Sequence, residues 1–494
     1  MAAYDLILRN ALIFDGAGGE PLEGDIAVKG DRIEQLGAVD AAAYEELDLT
    51  GAAVAPGFID VHTHDDFAAL LYPDMSFKLL GGVTTSVVGN CGMAAAPFPA
   101  AAALAKAFHP NQKLPEWEGY GGYLDHLDRH PASLNVAVLA GHGTIRTAVM
   151  GGATRVPTSS ELAQMQAVFE EGLAAGVIGL STGLIYEPGR HADTDEIVAM
   201  AAVMADKGGI YATHMRDEGS GLLESLKEAV EIGSRAGVGI QISHHKAAGR
   251  ENWGKVEDST QFIESAQQQG VNIHADQYPY TAGSTFLSAV VPRGMNQAED
   301  GLGMMDAEGI VIASTSIQTE WEGKSIAELS DHFKLSPQRT AEKILKTEPG
   351  ATVVLHSMSE VDVQMVMQHA STMIGSDGLP TLEGKPHPRL SNTFARVLGL
   401  YSRELNLFPL QEAIHKMTGL PARKFAFTDR GEIRPGAFAD LVVFDPATVI
   451  DQGTFTDPNR YPKGIDRVFV NGVEAVRQGQ HTGARSGRTL RRNL

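Results

Sequence analysis

Apolar residues follow two different rhythms along this chain. Toward both ends they alternate, in part, with polar ones, the period-two pattern of half-buried strands. Residues 4–14 (YDLILRNALIF), 24–29 and 32–37 read this way, separated by Gly-Ala-Gly-Gly and Lys-Gly-Asp turns. Residues 439–444 (ADLVVF) and 467–470 (RVFV) do the same, with Asn471-Gly472 as a hairpin turn. The pattern predicts one small β-sandwich assembled from both termini, residues 1–56 together with 425–480.

In the middle, short apolar runs alternate with helix-period stretches such as 160–175 and 222–236, which predicts a parallel sheet with crossover helices. Eight buried strands are expected: 57–64 (GFIDVHTH), 83–91 (VTTSVVGNC), 134–142 (LNVAVLAGH), 177–183 (VIGLSTG), 210–214 (IYATH), 239–245 (GIQISHH), 271–278 (VNIHADQY) and 372–378 (TMIGSDG). Seven of them carry a polar or metal-capable residue near the C-terminal end, where a (β/α)8 barrel builds its active site. The expected fold is therefore α/β, with a (β/α)8 barrel over residues 57–424. The interval between the seventh and eighth strands is too long for one helix, so 287–351 is read as an insertion near the site.

Charge and cysteine content narrow the function. With 61 acidic and 40 basic residues the formal charge is −21, which argues against a nucleic-acid partner and weakly against anionic membranes. A small anionic substrate remains compatible, because a few local cations can reverse the field in a pocket. One cysteine cannot form an internal disulfide. Residues 1–10 hold no signal-like apolar core, and no window approaches the ~20 apolar residues of a membrane span. A cytoplasmic enzyme acting on a small molecule is the expectation, with oligomeric state open.

Chemistry concentrates at the expected strand ends. His62 and His64 are two apart, so strand alternation would turn both imidazoles to one face. An isolated pair of this kind is more often two hydrogen-bonded core histidines. That reading loses ground because Cys91, His214, His244 and Asp377 occupy the ends of four other strands, and imidazole, thiolate and carboxylate together suit zinc. A lone cysteine is usually a small buried hydrophobe. A nucleophilic Cys91 would leave the histidines idle, whereas a ligand uses them all. Only one of His244 and His245 can face inward; His244 is chosen because Lys246 then shares its face. His142 and His274 are read as structural. Asp377, in Gly-Ser-Asp-Gly, is the best carboxylate for proton transfer.

These residues carry a resemblance. Residues 56–64 (PGFIDVHTH) resemble the first-strand motif of the amidohydrolase superfamily, and 431–446 (GEIRPGAFADLVVFDP) its C-terminal return into the sandwich. Within it, 82–92 (GVTTSVVGNCG), 181–189 (STGLIYEPG), 243–246 (SHHK) and 376–389 (SDGLPTLEGKPHPR) resemble the D-aminoacylase, or N-acyl-D-amino-acid deacylase, group. The match runs from about residue 4 to 472. The resemblance implies zinc-dependent hydrolysis of N-acyl-D-amino acids. It gives Cys91, His214 and His244 as ligands of a tight Zn²⁺, and His62 and His64 as ligands at a weaker second position. Asp377 becomes the catalytic aspartate, and Lys246, Tyr278, Ser284 and Arg389 hold the substrate α-carboxylate. The preference for the D configuration rests on the resemblance alone.

Two rival readings fit the sequence less well. Many cyclic-amide hydrolases of the hydantoinase or dihydroorotase type bridge two metals with a carbamylated lysine on the fourth strand. Here that stretch is VIGLSTG, and no lysine occurs between Lys113 and Lys207. A non-catalytic scaffold would show substituted ligands, and all six positions are intact. Side-chain selectivity is expected from the insertion and residues 356–359. Trp321, Met304 and Met305 either line an apolar pocket or pack locally, and Arg293 could meet an acidic side chain.

Overall fold

The computed structural model describes residues 2–109, 112–291 and 306–492. Eight parallel strands follow one another in hydrogen-bonded order: Phe58–Asp60, Val83–Val88, Asn135–Gly141, Gly179–Gly183, Ile210–His214, Gly239–Ile242, Ile273–Gln277 and Thr372–Ile374. The ring closes at its rim, where Thr63 bridges Gly378 and the Asp377 amide donates to the His62 carbonyl at 2.8 Å. All eight expected strands are present. Helices such as Ser159–Ala175 and Leu222–Ala236 lie between them. The first starts on a capping box of Thr158 with Glu161 and ends at Gly176 in the left-handed region, the start and stop chemistry that defines a helix.

The strands are shorter than the apolar runs. The ladder ends at Asp60, Val88, Ile242 and Ile374, so His62, His64, Cys91, His244 and Asp377 lie two to four residues past it. Strand alternation therefore does not aim these side chains, contrary to the reading of His62 and His64 above. Cys91, His244 and Asp377 instead have φ of 55°, 38° and 49°. This left-handed backbone is costly for non-glycine residues and collects at functional sites. Two glycines leave room for it: a Cβ on Gly183 would meet the Cys91 carbonyl at 2.1 Å, and one on Gly375 the His62 Cβ at 2.7 Å.

The terminal strands join in one nine-stranded sheet, where Ala53–Pro56 pairs antiparallel with Leu441–Phe444. The first strand, Tyr4–Ile13, shifts register between Leu8 and Ala11, and there its parallel partner changes from Ala43–Asp48 to Ala53–Pro56. Such a bulge bends a sheet, and Leu6 and Leu8 share one apolar cluster with Ile433, Leu441 and Phe469 from the far end of the chain. Asn471 and Gly472 take φ of 51° and 80°, the pair of positive angles a tight hairpin demands. Thr489–Leu490, beyond the range read as sandwich, pairs with the third barrel strand.

Between the seventh and eighth strands lies a three-stranded antiparallel sheet of Ala282–Phe286, Thr352–His356 and Ile310–Ser314. The inserted unit thus extends on both sides of 287–351 and includes Ser284. Its own core joins Leu287, Ile310, Ile312, Trp321, Ile326 and Ile344. Trp321 is spent on that packing, against Phe333, and the pocket alternative for it falls away. Arg293, Met304 and Met305 lie outside the described residues.

Candidate active site

The sulfur of Cys91 is the hub of the rim. It lies 3.3 Å from His62 Nε2, 3.6 Å from His244 Nε2 and 3.8 Å from His214 Nδ1. A tetrahedral zinc with one sulfur at about 2.3 Å and nitrogens at about 2.0 Å holds sulfur and nitrogen about 3.6 Å apart. The donor set and its spacing fit that ion. A second group follows directly: His64 Nε2 is 3.2 Å and His62 Nε2 3.5 Å from Asp377 Oδ1. Ligand atoms of His62, Cys91 and His244, and of His62, His64 and Asp377, form two triads within 4.8 Å. His62 belongs to both, so it stands between the two candidate positions rather than in the second alone.

Electrostatics point the same way. Burial pushes the Cys91 thiol up, but His62 and the hydrogen bonds of His214 and His244 outweigh it and hold it well below its ordinary value. Burial also raises Asp377, yet Arg389, His62 and His244 hold its carboxyl well below the usual range. Burial lowers His64, but Asp377 and Cys91 carry it up to about 9. The thiol and carboxyl are thus pushed toward their anionic forms among imidazoles of which His62, His64 and His244 are shifted up and His214 down, and a divalent cation is an alternative counter-charge.

Buried groups missed at the sequence level lock this half in place. Asp276 accepts from the His244 amide at 2.8 Å, with His62 Nδ1 at 3.2 Å from the same oxygen. Lys78, fully buried, donates to Asp60 Oδ2 at 2.8 Å and Ser376 Oγ at 2.7 Å, tying the first strand to the residue before Asp377. Glu218 lies 2.8 Å from His244 Nδ1 and 2.6 Å from Lys246 Nζ. Asp276 had a visible signal, an acid inside a buried strand, whereas Glu218 and Lys78 had none in any periodicity. His142, read as structural, pairs with Glu196 at 2.9 Å, and His245, the histidine not expected to face inward, hydrogen-bonds Ser259.

The expected carboxylate-binding residues gather on the other side of Asp377. Arg389 Nη2 lies 2.9 Å from Asp377 Oδ2, and its guanidinium stacks 4.3 Å above the Tyr278 ring. Lys246 Nζ is 5.9 Å from the same ring. Arg389 opens the helix Arg389–Arg396. Its Nε and Nη1 are buried with no hydrogen-bond partner among the described residues. Ser284 is present, but its contact with Arg389 runs through its main-chain carbonyl at 3.1 Å. A cavity of about 350 Å³ opens beside Cys91, lined in part by Met93, Leu104, Ile185, Tyr186 and Phe286.

Comparison with known proteins matches this architecture. Residues 45–476 fit the model of the amidohydrolase family. D-aminoacylase from Alcaligenes xylosoxydans xylosoxydans is 42% identical over 99% of this chain and 98% of its own length. A D-aminoacylase crystal structure superposes with a TM-score of 0.90 at 39% identity, covering 99% of this chain and all of that one. N-acyl-D-glutamate deacylase from Bordetella bronchiseptica, solved with zinc and a phosphonate mimic of the tetrahedral intermediate, gives 0.90 at 36% identity over 99% of both chains. D-hydantoinase, at 14% identity and 0.58, shares the fold alone. The chain belongs to the amidohydrolase family, within the group of D-aminoacylase and the N-acyl-D-amino-acid deacylases.

Proposed function

We propose that this protein is a zinc-dependent N-acyl-D-amino-acid deacylase that releases a carboxylic acid and a free D-amino acid. The observation that carries the reading is Asp377, with one oxygen on the histidines of the candidate metal centre and the other on Arg389. The two nitrogens of that buried guanidinium without a partner among the described residues need an acceptor, and a substrate carboxylate supplies one. Cys91, His214 and His244 would hold the tighter Zn²⁺, with His62 between that ion and a weaker second position at His64. A zinc ion there supplies Lewis acidity, acidifying water to a pKa of about 7 and polarising the amide carbonyl.

The chain's own residues do the rest. Arg389 and Lys246 bind the α-carboxylate, with Tyr278 as the floor beneath them. Asp377 takes a proton from the attacking water as its oxygen adds to the carbonyl carbon. When the C–N bond breaks, Asp377 returns that proton to the leaving amine. The relatives named D-aminoacylase and N-acyl-D-glutamate deacylase support amide hydrolysis of this substrate class. Hydantoinase-type chemistry finds no support, since the fourth strand, Gly179–Gly183, contains no lysine. Dependence on one reduced thiol favours the cytoplasm, and among the described residues no helix is long and apolar enough to cross a membrane.

The test is direct. Zinc-loaded protein is incubated with N-acetyl and N-formyl amino acids of both configurations, and amine release is followed. Turnover restricted to D substrates is expected. Release from L substrates only, or from none, would overturn the proposal.

A further inference from the structure

The loop after the fifth barrel strand carries a carboxylate that neither the ligand set nor the carboxylate cradle uses. Glu218 follows His214 by four residues and is largely buried. Its Oε1 lies 2.8 Å from His244 Nδ1 and 2.6 Å from Lys246 Nζ. Its Oε2 lies 3.5 Å from His214 Nε2, a buried nitrogen with no hydrogen-bond partner among the described residues. The two imidazoles turn opposite ring atoms toward Cys91, Nδ1 from His214 and Nε2 from His244.

We propose that Glu218 is a positioning residue of the metal centre, one carboxylate that sets the tautomers of both His214 and His244 and anchors Lys246. An imidazole can offer a lone pair to an ion only if its proton sits on the other nitrogen, and the group facing that nitrogen decides. His244 makes the choice concrete. Lys246 Nζ also lies 2.8 Å from His244 Nδ1. Were Nδ1 to accept from Lys246, the proton would move to Nε2 and point at the sulfur, closing the site to a cation. Glu218 prevents this by accepting from Nδ1–H and from Lys246, which has the His244 carbonyl at 2.8 Å as another acceptor. One side chain thereby couples the metal ligands to the group that meets the substrate.

The substrate side of this inference rests on the deacylase reading; the metal side does not. The first test needs no variant: ¹⁵N resonances of histidine in the zinc-loaded protein are expected to show His214 protonated at Nε2 and His244 at Nδ1. The opposite tautomer at either residue would overturn the assignment. The second compares Glu218→Gln with Glu218→Asp by chelator competition for zinc and by the ligand-field spectrum of the cobalt-substituted protein. Glu218→Gln is expected to lose zinc affinity by about 10- to 100-fold, change the cobalt spectrum and raise KM, with partial rescue in Glu218→Asp. Wild-type affinity and spectrum in a folded Glu218→Gln protein would contradict the proposal. A protein with the expected tautomers and zinc affinity that cleaves no N-acyl-D-amino acid would sink the deacylase reading while supporting this one.

Discussion

The histidine–thiolate half of the site and the guanidinium–ammonium half meet at Asp377, yet they are supported differently. Cys91, His62, His64, His214 and His244 all sit on or just past barrel strands, closed off by Asp276 and Lys78. The other half takes Lys246 and Tyr278 from the barrel, Arg389 from the start of a helix, and the carbonyl that holds it from an inserted sheet with its own core. The chemistry is thus tied to elements that cannot shift without breaking the ring. On the proposed function, recognition leans in part on that inserted unit.

The comparison can be broken at several points. Asp377→Asn, where the halves meet, is expected to lower kcat by about 10³, the scale of a lost general acid–base, with zinc content retained in metal analysis. Full activity would remove the aspartate from the mechanism. Arg389→Ala is expected to lower kcat/KM by about 10² or more, as a truncated buried charge pair does. Sequence alone suggests a KM effect chiefly. Its 2.9 Å contact with Asp377 adds a fall in kcat. If a substrate analogue without the carboxylate loses as much, Arg389 acts only through Asp377.

Trp321→Ala should test the independence of the insertion. Emptying that core costs about 3 kcal/mol or more, so increased proteolysis within the insertion and a raised KM are expected while zinc stays bound. Loss of zinc would show that the halves are not separable.

The barrel wall behind the metal half makes a pH prediction. Burial holds His245 down to about 4 and His274 to about 3, against about 6.5 in an unfolded chain. Between those values the unfolded state binds protons that the folded barrel does not, so this stability is complete above about pH 6.5 and is lost as pH falls toward 4 for His245 and toward 3 for His274. The thermal midpoint should drop on acidification below pH 6.5, and His274→Leu should soften the drop. The smallest effect belongs to Ser284→Ala, expected to change KM by about threefold or less because the main-chain carbonyl makes the contact.

The barrel, its insertion and both halves of the site were legible because each left a mark along one stretch of chain. Eight apolar runs announced eight strands, and a ligand-type residue near each relevant end marked the rim. What escaped was set by contacts distant in sequence. Glu218 and Lys78 meet their partners only once strands far apart are neighbours, and no periodicity announces them. The orientation of His62 and His64 was right in outcome for a different reason, since they lie beyond the ladder that alternation describes. Ser284 was found, but a residue type cannot reveal that the backbone makes its contact.

The central claim is that the sole cysteine is a zinc ligand, and X-ray absorption at the zinc edge tests it most directly on protein loaded with one equivalent of metal. The account predicts one sulfur neighbour at about 2.3 Å with nitrogen and oxygen neighbours at about 2.0 Å. A coordination sphere of nitrogen and oxygen only would contradict it.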